Sequence, residues 1–141
     1  AIAGAHFESR GIDVLRTNTA ETIEIAKMLA STLHCVVLVT GKTDIITNGE
    51  TTELCENGTP RLSLVTGTGC MLSVLCGAFA AVEPNAFDAA LMASVFWKAC
   101  SERAEHVSGG AGPGSLRAAL MDSARALVPG SPCFDGRVQA L

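Results

Sequence analysis

The sequence has few charged residues. Asp, Glu, Lys and Arg make up only 17% of its 141 residues, and the formal net charge is −4. The ten Lys and Arg residues form no basic run, and proteins that neutralise nucleic-acid phosphates need a basic surface. We therefore expect no nucleic-acid partner. Hydrophobic residues make up 48%, which excludes a disordered chain. A surface with so little charge is expected to place apolar area against a partner.

The spacing typical of structural metal sites is also missing. Six cysteines are present, but no Cys-x-x-Cys and no His-x-x-x-His, and structural zinc sites depend on such close ligand pairs. Cys35, Cys76 and Cys100 fall within apolar runs, where free cysteine packs as a small hydrophobic residue. We therefore predict reduced thiols in the cytoplasm, without a metal site or a disulfide framework.

No segment of the sequence is suited to a membrane. The apolar segment from Cys70 to Val82 is well short of the roughly 20 residues that a spanning helix needs. The chain does not open with a charged leader. It starts abruptly at Ala1, and we expect that it begins inside a larger fold.

Hydrophobic spacing and turn residues predict an α/β domain. Apolar residues recur at helical spacing in three segments, at about 19–33, 86–106 and 115–128, the last with Ser115 as its cap, and the apolar stretch from Cys70 to about Val82 predicts a buried helix. The continuous apolar run 35–40 is typical of a strand buried on both faces beneath helices. The order of elements predicts a layered fold with a mainly parallel central sheet.

Two Asn-Gly pairs predict the remaining turns. Asn48-Gly49 predicts a hairpin over 44–55, and Asn57-Gly58 returns the chain into a further strand at 61–65. Residues 129–141 are expected to form a loose or extended tail.

The segment Val65-Thr66-Gly67-Thr68-Gly69-Cys70 joins the last predicted strand to an apolar helix. Glycines at a helix start bring backbone N–H groups close to an anion, and these groups lack helical partners. The segment has neither the Gly-Lys-Ser/Thr of a Walker loop nor the acidic residue of a dinucleotide fingerprint. We predict an anion site at Gly67, Thr68 and Gly69, with the Cys70 side chain beside it.

Other interpretations of this segment remain open. The loop can be a tight strand-to-helix turn with Cys70 as a core thiol. Cys70 can also be a covalent nucleophile assisted by His34 or His106, although neither histidine lies in a recognisable partner motif.

Two acidic residues elsewhere in the sequence are also interpreted. Asp44 is a turn residue or a residue that orients a nucleotide loop, and Glu102 is part of a solvated face.

The loop resembles the active-site motif of the hydroxyethylthiazole kinase family, a member of the ribokinase-like clan. Most sugar kinases of that clan end this loop in aspartate, whereas the thiazole kinases have cysteine, as here at Cys70. Further similar segments are Arg10-Gly11-Ile12-Asp13, the strand that ends in Thr40-Gly41-Lys42-Thr43-Asp44, Asn57-Gly58, and Gly112-Pro113-Gly114-Ser115. The resemblance extends from residue 1 to about residue 128.

The resemblance implies an ATP-dependent kinase that requires Mg²⁺ and forms trimers. Its substrate would be the hydroxyl of 4-methyl-5-(2-hydroxyethyl)thiazole, in thiamine salvage. Gly67 would contact the thiazole, Thr40 and Gly41 the nucleotide, and residues 67–69 would form the anion hole. Cys70 would be the catalytic residue that positions or deprotonates the substrate hydroxyl.

The family's amino-terminal motifs are absent from the sequence. These are an Arg-Gly-Asn nucleotide segment, the metal-binding acids and an apolar substrate contact. The chain therefore resembles the carboxyl-terminal portion of one ribokinase-like domain. Two alternatives remain: another ribokinase-like kinase for a small alcohol or a pyrimidine precursor, and a fragment that holds phosphate without turnover.

Overall fold

The computed structural model describes residues 9–10, 13–14, 19–127 and 137–141. These residues form the helices α1 (Thr19–Leu33), α2 (Thr68–Ala80), α3 (Ala86–Ser108) and α4 (Pro113–Ala126). A 3₁₀ helix covers Pro60–Leu64. The strands are β1 (Ser9–Arg10), β2 (Asp13–Val14), β3 (Val37–Val39), β4 (Asp44–Thr47), β5 (Thr52–Cys55) and β6 (Val138–Ala140). In these residues, no helix is both long and apolar enough to cross a bilayer.

The α/β class is confirmed, but the prediction of a mainly parallel sheet is wrong for the described strands. β1 pairs with β2, and the larger sheet has the order β3-β4-β5-β6 with every pair antiparallel. The reason is the length of the connections. Parallel neighbours need a crossover of a dozen or more residues, whereas only residues 40–43 join β3 to β4.

Two further strand predictions also need correction. β3 is half-buried along its length rather than buried on both faces, and Cys35, just before it, is exposed. The predicted strand at 61–65 is largely a 3₁₀ helix. Thr59 caps this helix by accepting the Arg61 N–H at 3.1 Å, and Pro60 occupies its first turn. Proline is favoured there because its fixed φ fits the helix and it has no N–H to satisfy.

The predicted hairpin at 44–55 is confirmed. Thr47 pairs with Thr52 across the Asn48-Gly49 turn, and Gly49 has φ +97°, a left-handed conformation that favours glycine. Residues 138–140 of the predicted tail are extended and pair with β5, so the loose alternative does not hold for them. Residues 128–136 lie outside the described part of the chain.

The core lies around α3, which packs chiefly against α4 and α2. The helix predictions are confirmed to within a few residues at each end, except that α4 begins at Pro113 after Gly112, so Ser115 lies inside the helix and does not cap it. The largest fully buried apolar side chains include Ile46 of β4 and Leu116 and Leu120 of α4. Trp97 is also buried in this core.

The helix α2 departs from the usual relation between apolar composition and burial. It has no charged residue, yet Leu72 is its only buried residue, and the side chain of Val74 is 73% exposed. A helix that is apolar all round is normally covered on all sides. The prediction of a buried helix is therefore wrong for most of α2 among the described residues, which leave an apolar surface on it.

Candidate functional site

A cleft of about 460 Å³ lies between the end of β3 and the first turns of α2. Its lining residues are Leu38, Thr40, Gly69, Leu72, Ser73 and Cys76. We call this space the β3–α2 cleft. It brings together two residues that the sequence assigned to ligands, Thr40 for the nucleotide and Gly69 for the anion. They are far apart in sequence, and both are exposed.

The glycine loop begins α2 in the geometry expected of an anion site. Gly67 is the N-cap and has φ 92°, which favours glycine. The first i to i−4 bond runs from the Met71 N–H to the Gly67 carbonyl at 3.0 Å. The N–H groups of Thr68, Gly69 and Cys70 precede it and lie at the positive end of the helix dipole. A Cβ at Gly67 or Gly69 would have no atom within 4 Å, so the space before the loop is open.

Cys70 is exposed on the first turn of α2 among the described residues, which does not support the interpretation of a core thiol. It follows Gly69 directly but is not among the lining residues of the β3–α2 cleft. His34 lies beside a different groove of about 300 Å³, and His106 lies in the last turn of α3. Neither histidine lines the cleft with Gly69, so the geometry does not support a paired covalent nucleophile.

A second thiol, Cys76, lines the cleft two turns further along α2. Burial raises the pKa of this thiol, and the negative charge of Asp44 adds a smaller effect in the same direction. Cys76 is therefore a neutral thiol at physiological pH. With Leu38 and Leu72 it forms an apolar wall, which is suited to an uncharged part of a ligand.

The connection between β3 and β4 is held by a buried ionic group that the sequence interpretation missed. Asp44 is 1% exposed and Lys98 is 5% exposed, and the Lys98 Nζ lies 3.1 Å from the Asp44 Oδ1. The Gly41 N–H donates to Asp44 Oδ1 at 2.9 Å, and the Ser94 hydroxyl donates to Asp44 Oδ2 at 2.8 Å. Of the two interpretations of Asp44, this supports the one in which it orients the loop at Thr40 and Gly41.

A sequence signal for this group existed in α3. Ser94, Lys98 and Ser101 are spaced by four and three residues, which places them on one face of a helix. All three are buried. A buried lysine needs partners, so a polar stripe within an otherwise apolar segment indicates a site of contact with other polar groups.

The Asn57-Gly58 turn packs on the same stripe of α3. Gly58 has φ +103°, and a Cβ there would lie 2.6 Å from the Cδ of Lys98. The Thr59 N–H donates to the Ser101 hydroxyl at 3.2 Å, and the Gly58 N–H donates to Glu102 at 2.8 Å. Glu102, which is half-buried, also pairs with the exposed Arg137, so it has specific partners on a partly solvated face.

In the described part of the chain, no group of three or more His, Cys, Asp or Glu residues could hold a metal ion. Asp44, at the end of the connection from β3 to β4, is already paired with Lys98. The described residues therefore do not fit a Mg²⁺ site. None of the five described cysteines, at 35, 55, 70, 76 and 100, forms a disulfide bond.

Comparisons with known proteins converge on one family. The model of the hydroxyethylthiazole kinase family matches residues 1–129. Hydroxyethylthiazole kinases of Clostridium beijerinckii and Desulfitobacterium hafniense are 40% and 38% identical to the chain, each over 86% of it. The solved hydroxyethylthiazole kinase of Pyrococcus horikoshii OT3 superposes with a TM-score of 0.81 over 87% of the chain, at 29% identity.

The chain spans about half the length of these relatives. It covers 46% of the Clostridium beijerinckii protein, 45% of the Desulfitobacterium hafniense protein and 47% of the solved Pyrococcus horikoshii chain.

Proposed function

Because the chain belongs to the hydroxyethylthiazole kinase family, we propose that it forms the carboxyl-terminal half of a cytoplasmic, ATP-dependent kinase of ribokinase-like fold. The kinase phosphorylates the hydroxyl of 4-methyl-5-(2-hydroxyethyl)thiazole in thiamine salvage. The observation that carries this proposal is the β3–α2 cleft. Thr40, proposed for the nucleotide, and Gly69, proposed for the transferred phosphoryl group, both line it.

The glycine loop acts on the transferred phosphoryl group. Phosphoryl transfer relies on positioning and on stabilising charge that spreads over the equatorial oxygens. The N–H groups of Thr68, Gly69 and Cys70 provide fixed donors without reorganisation, and the open space before Gly67 and Gly69 admits a phosphate. Gly67, the N-cap of the same helix, contacts the thiazole.

Cys70 acts on the substrate hydroxyl. Its side chain is exposed at the first turn of α2, beside the donors that face the phosphoryl group. There it positions the hydroxyl and, as the thiolate, accepts its proton while the hydroxyl oxygen bonds to the γ-phosphorus of ATP and the bond from that phosphorus to the leaving ADP breaks. The apolar wall of Leu38, Leu72 and Cys76 suits the uncharged parts of the reactants.

ATP supplies the phosphoryl group, and Mg²⁺ supplies charge neutralisation on the nucleotide phosphates when it is bound. The described residues do not fit a Mg²⁺ site. We therefore assign the metal to no residue of this chain and derive no step through it.

The rest of the domain covers the apolar surface of α2. This helix has no charged residue and only one buried residue, and the chain spans about half the length of its relatives.

We define the joined protein as this chain fused to the part of the Clostridium beijerinckii relative that it does not match. We expect the joined protein to be a homotrimer in light scattering at micromolar concentration. A monomeric joined protein in light scattering at this concentration would contradict the proposed homotrimer.

A Gly69→Ala substitution separates folding from phosphoryl binding. A Cβ at Gly69 meets nothing within 4 Å, and alanine in a helix is favoured over glycine by roughly 0.5–1 kcal/mol. The variant chain should therefore resist urea at least as well as the parent. In the joined protein, we expect kcat/KM to fall on the order of 10²-fold, the effect of losing one such donor, because the methyl group obstructs the approach to the loop.

Gly114→Ala in this chain is the matched stability control. Gly114 follows the first residue of α4 as Gly69 follows the first residue of α2, and a Cβ there also meets nothing within 4 Å. Similar urea midpoints for the two variants would show that Gly69→Ala leaves the fold intact. A joined protein with Gly69→Ala and unchanged kcat/KM would remove the loop from the proposed mechanism.

A further inference from the structure

The ammonium group of Lys98 is fully occupied by backbone and by Asp44. Its Nζ donates to the carbonyl oxygens of Gly41 and Lys42, each at 2.9 Å, and lies 3.1 Å from Asp44 Oδ1. A lysine ammonium has three N–H donors and no acceptor. All three therefore have partners within one short segment, the connection between β3 and β4.

Most of the connection between β3 and β4 is exposed. Gly41 and Lys42 are exposed, whereas Asp44 at its end is buried. The carboxylate of Asp44 accepts the Gly41 N–H at 2.9 Å, so the two charged groups bind the N–H and the carbonyl of the same residue, Gly41. Lys98 and Asp44 together hold a loop that contributes Thr40 to the cleft.

The chain gives Lys98 a fixed path to this loop. Its methylene stem passes close to Gly58, where a Cβ would lie 2.6 Å from the Lys98 Cδ. Its backbone carbonyl accepts the Ser101 hydroxyl at 2.7 Å, and Ser101 in turn accepts the Thr59 N–H. The Asn57-Gly58 turn and the β3–β4 connection are thus held by one helical turn of α3.

We infer that Lys98 is a positioning residue for the nucleotide end of the β3–α2 cleft. It fixes the carbonyl groups of Gly41 and Lys42 and thereby sets the position of Thr40 opposite Gly69. Lys98 does not touch the nucleotide; it acts through the loop. The role at the nucleotide rests on the proposed kinase function, whereas the hold on the loop is a property of this chain alone.

Amide hydrogen exchange in the 141-residue chain, followed by NMR, tests the hold on the loop. In Lys98→Met, the exchange rate of the Gly41 amide should rise by about tenfold or more relative to the amides of the β4–β5 ladder, because local opening then needs less free energy. Leu120→Ala is the matched control. Leu120 is fully buried in α4, and its replacement should raise the exchange rates of all protected amides by the same factor. A Lys98→Met profile that matches this control would overturn the positioning role.

A second variant covers the case in which Lys98→Met does not fold. Asp44→Asn/Lys98→Met removes both buried charges, which is tolerated better than leaving one uncompensated. The double variant still lacks the two bonds to the Gly41 and Lys42 carbonyls. The exchange rate of the Gly41 amide should therefore again rise more than the exchange rates of the amides in the β4–β5 ladder. If the exchange rates of the Gly41 amide and of the ladder amides rise by the same factor in the double variant, the inference would likewise be overturned.

Titration of the joined protein with Mg²⁺-ATP, followed by NMR, tests the link to the nucleotide. We expect shifts at its Thr40 and Gly41 amides, and a Kd raised by about tenfold or more in its Lys98→Met variant, as misplaced contacts lose binding. The Leu120→Ala variant of the joined protein should keep the parent Kd. An unchanged Kd in Lys98→Met would overturn the positioning role at the nucleotide. No shift at Thr40 in the joined protein would instead refute Thr40 as a nucleotide contact, and the exchange result would still decide the hold on the loop.

Discussion

An Asp44→Ala variant is expected to lose about 3–5 kcal/mol of its free energy of unfolding, the usual cost of removing one partner of a buried ion pair. The substitution leaves the Lys98 ammonium buried without its counter-charge. It also removes the acceptor of the Gly41 N–H and of the Ser94 hydroxyl. Urea unfolding of this chain, followed by circular dichroism, measures the effect.

Asp122→Ala is the control for the loss of a carboxylate. Asp122 is exposed on α4, and surface substitutions usually change stability by no more than about 0.5 kcal/mol. If Asp44→Ala costs no more than Asp122→Ala, the buried group does not hold the β3–β4 connection.

A Cys70→Ala substitution in the joined protein is expected to lower kcat by about 10²–10⁴-fold, the usual contribution of general acid–base catalysis. KM should change little, because lost ground-state binding would appear in KM instead. Cys70 is exposed at the start of α2, so the substitution leaves no cavity in the core. Steady-state kinetics measure the effect, and circular dichroism checks the fold.

Cys70→Asp distinguishes proton transfer from covalent catalysis. A carboxylate can accept the hydroxyl proton, and a negative charge is favourable at a helix N-terminus, so this variant should keep activity. If the mechanism needs sulfur as the nucleophile, the Cys70→Asp variant would instead lose its activity. Cys35→Ala is the control for loss of an exposed thiol, since Cys35 lies beside the other groove. An unchanged kcat in Cys70→Ala would leave the glycine loop alone as the site.

Local signals in the sequence predicted most of the individual elements. Thr19–Leu33 has the helical spacing of apolar residues and was placed at the correct bounds. Asn48-Gly49 gave the hairpin because few residues other than glycine adopt φ +97°. Thr59-Pro60 is also a local signal, for a helix start, and it was overlooked in favour of a strand.

The pairing of the strands was harder to predict because it depends on connections and burial. The run 35–40 is apolar throughout, but its strand is only half-buried, and apolar composition alone does not distinguish these cases. The four-residue link to β4 was the better guide, since it excludes a parallel neighbour.

The candidate site was predicted only in part. The glycine loop and Thr40 were recognised by resemblance, and the fold places both at one cleft. Lys98 was missed because its partners are the carbonyl groups of Gly41 and Lys42. A bond to a backbone carbonyl 56 or 57 residues away leaves no mark in the residue types of the partner.

The most direct measurement of the central claim is phosphoryl transfer from ATP to 4-methyl-5-(2-hydroxyethyl)thiazole, in the presence of Mg²⁺. It compares this chain, the remaining part of the Clostridium beijerinckii relative, and the joined protein. We predict turnover by the joined protein and none by either part alone, because the chain supplies the phosphoryl loop but no metal site among its described residues. Turnover by this chain alone, or a folded joined protein that binds ATP and thiazole without transfer, would contradict the account.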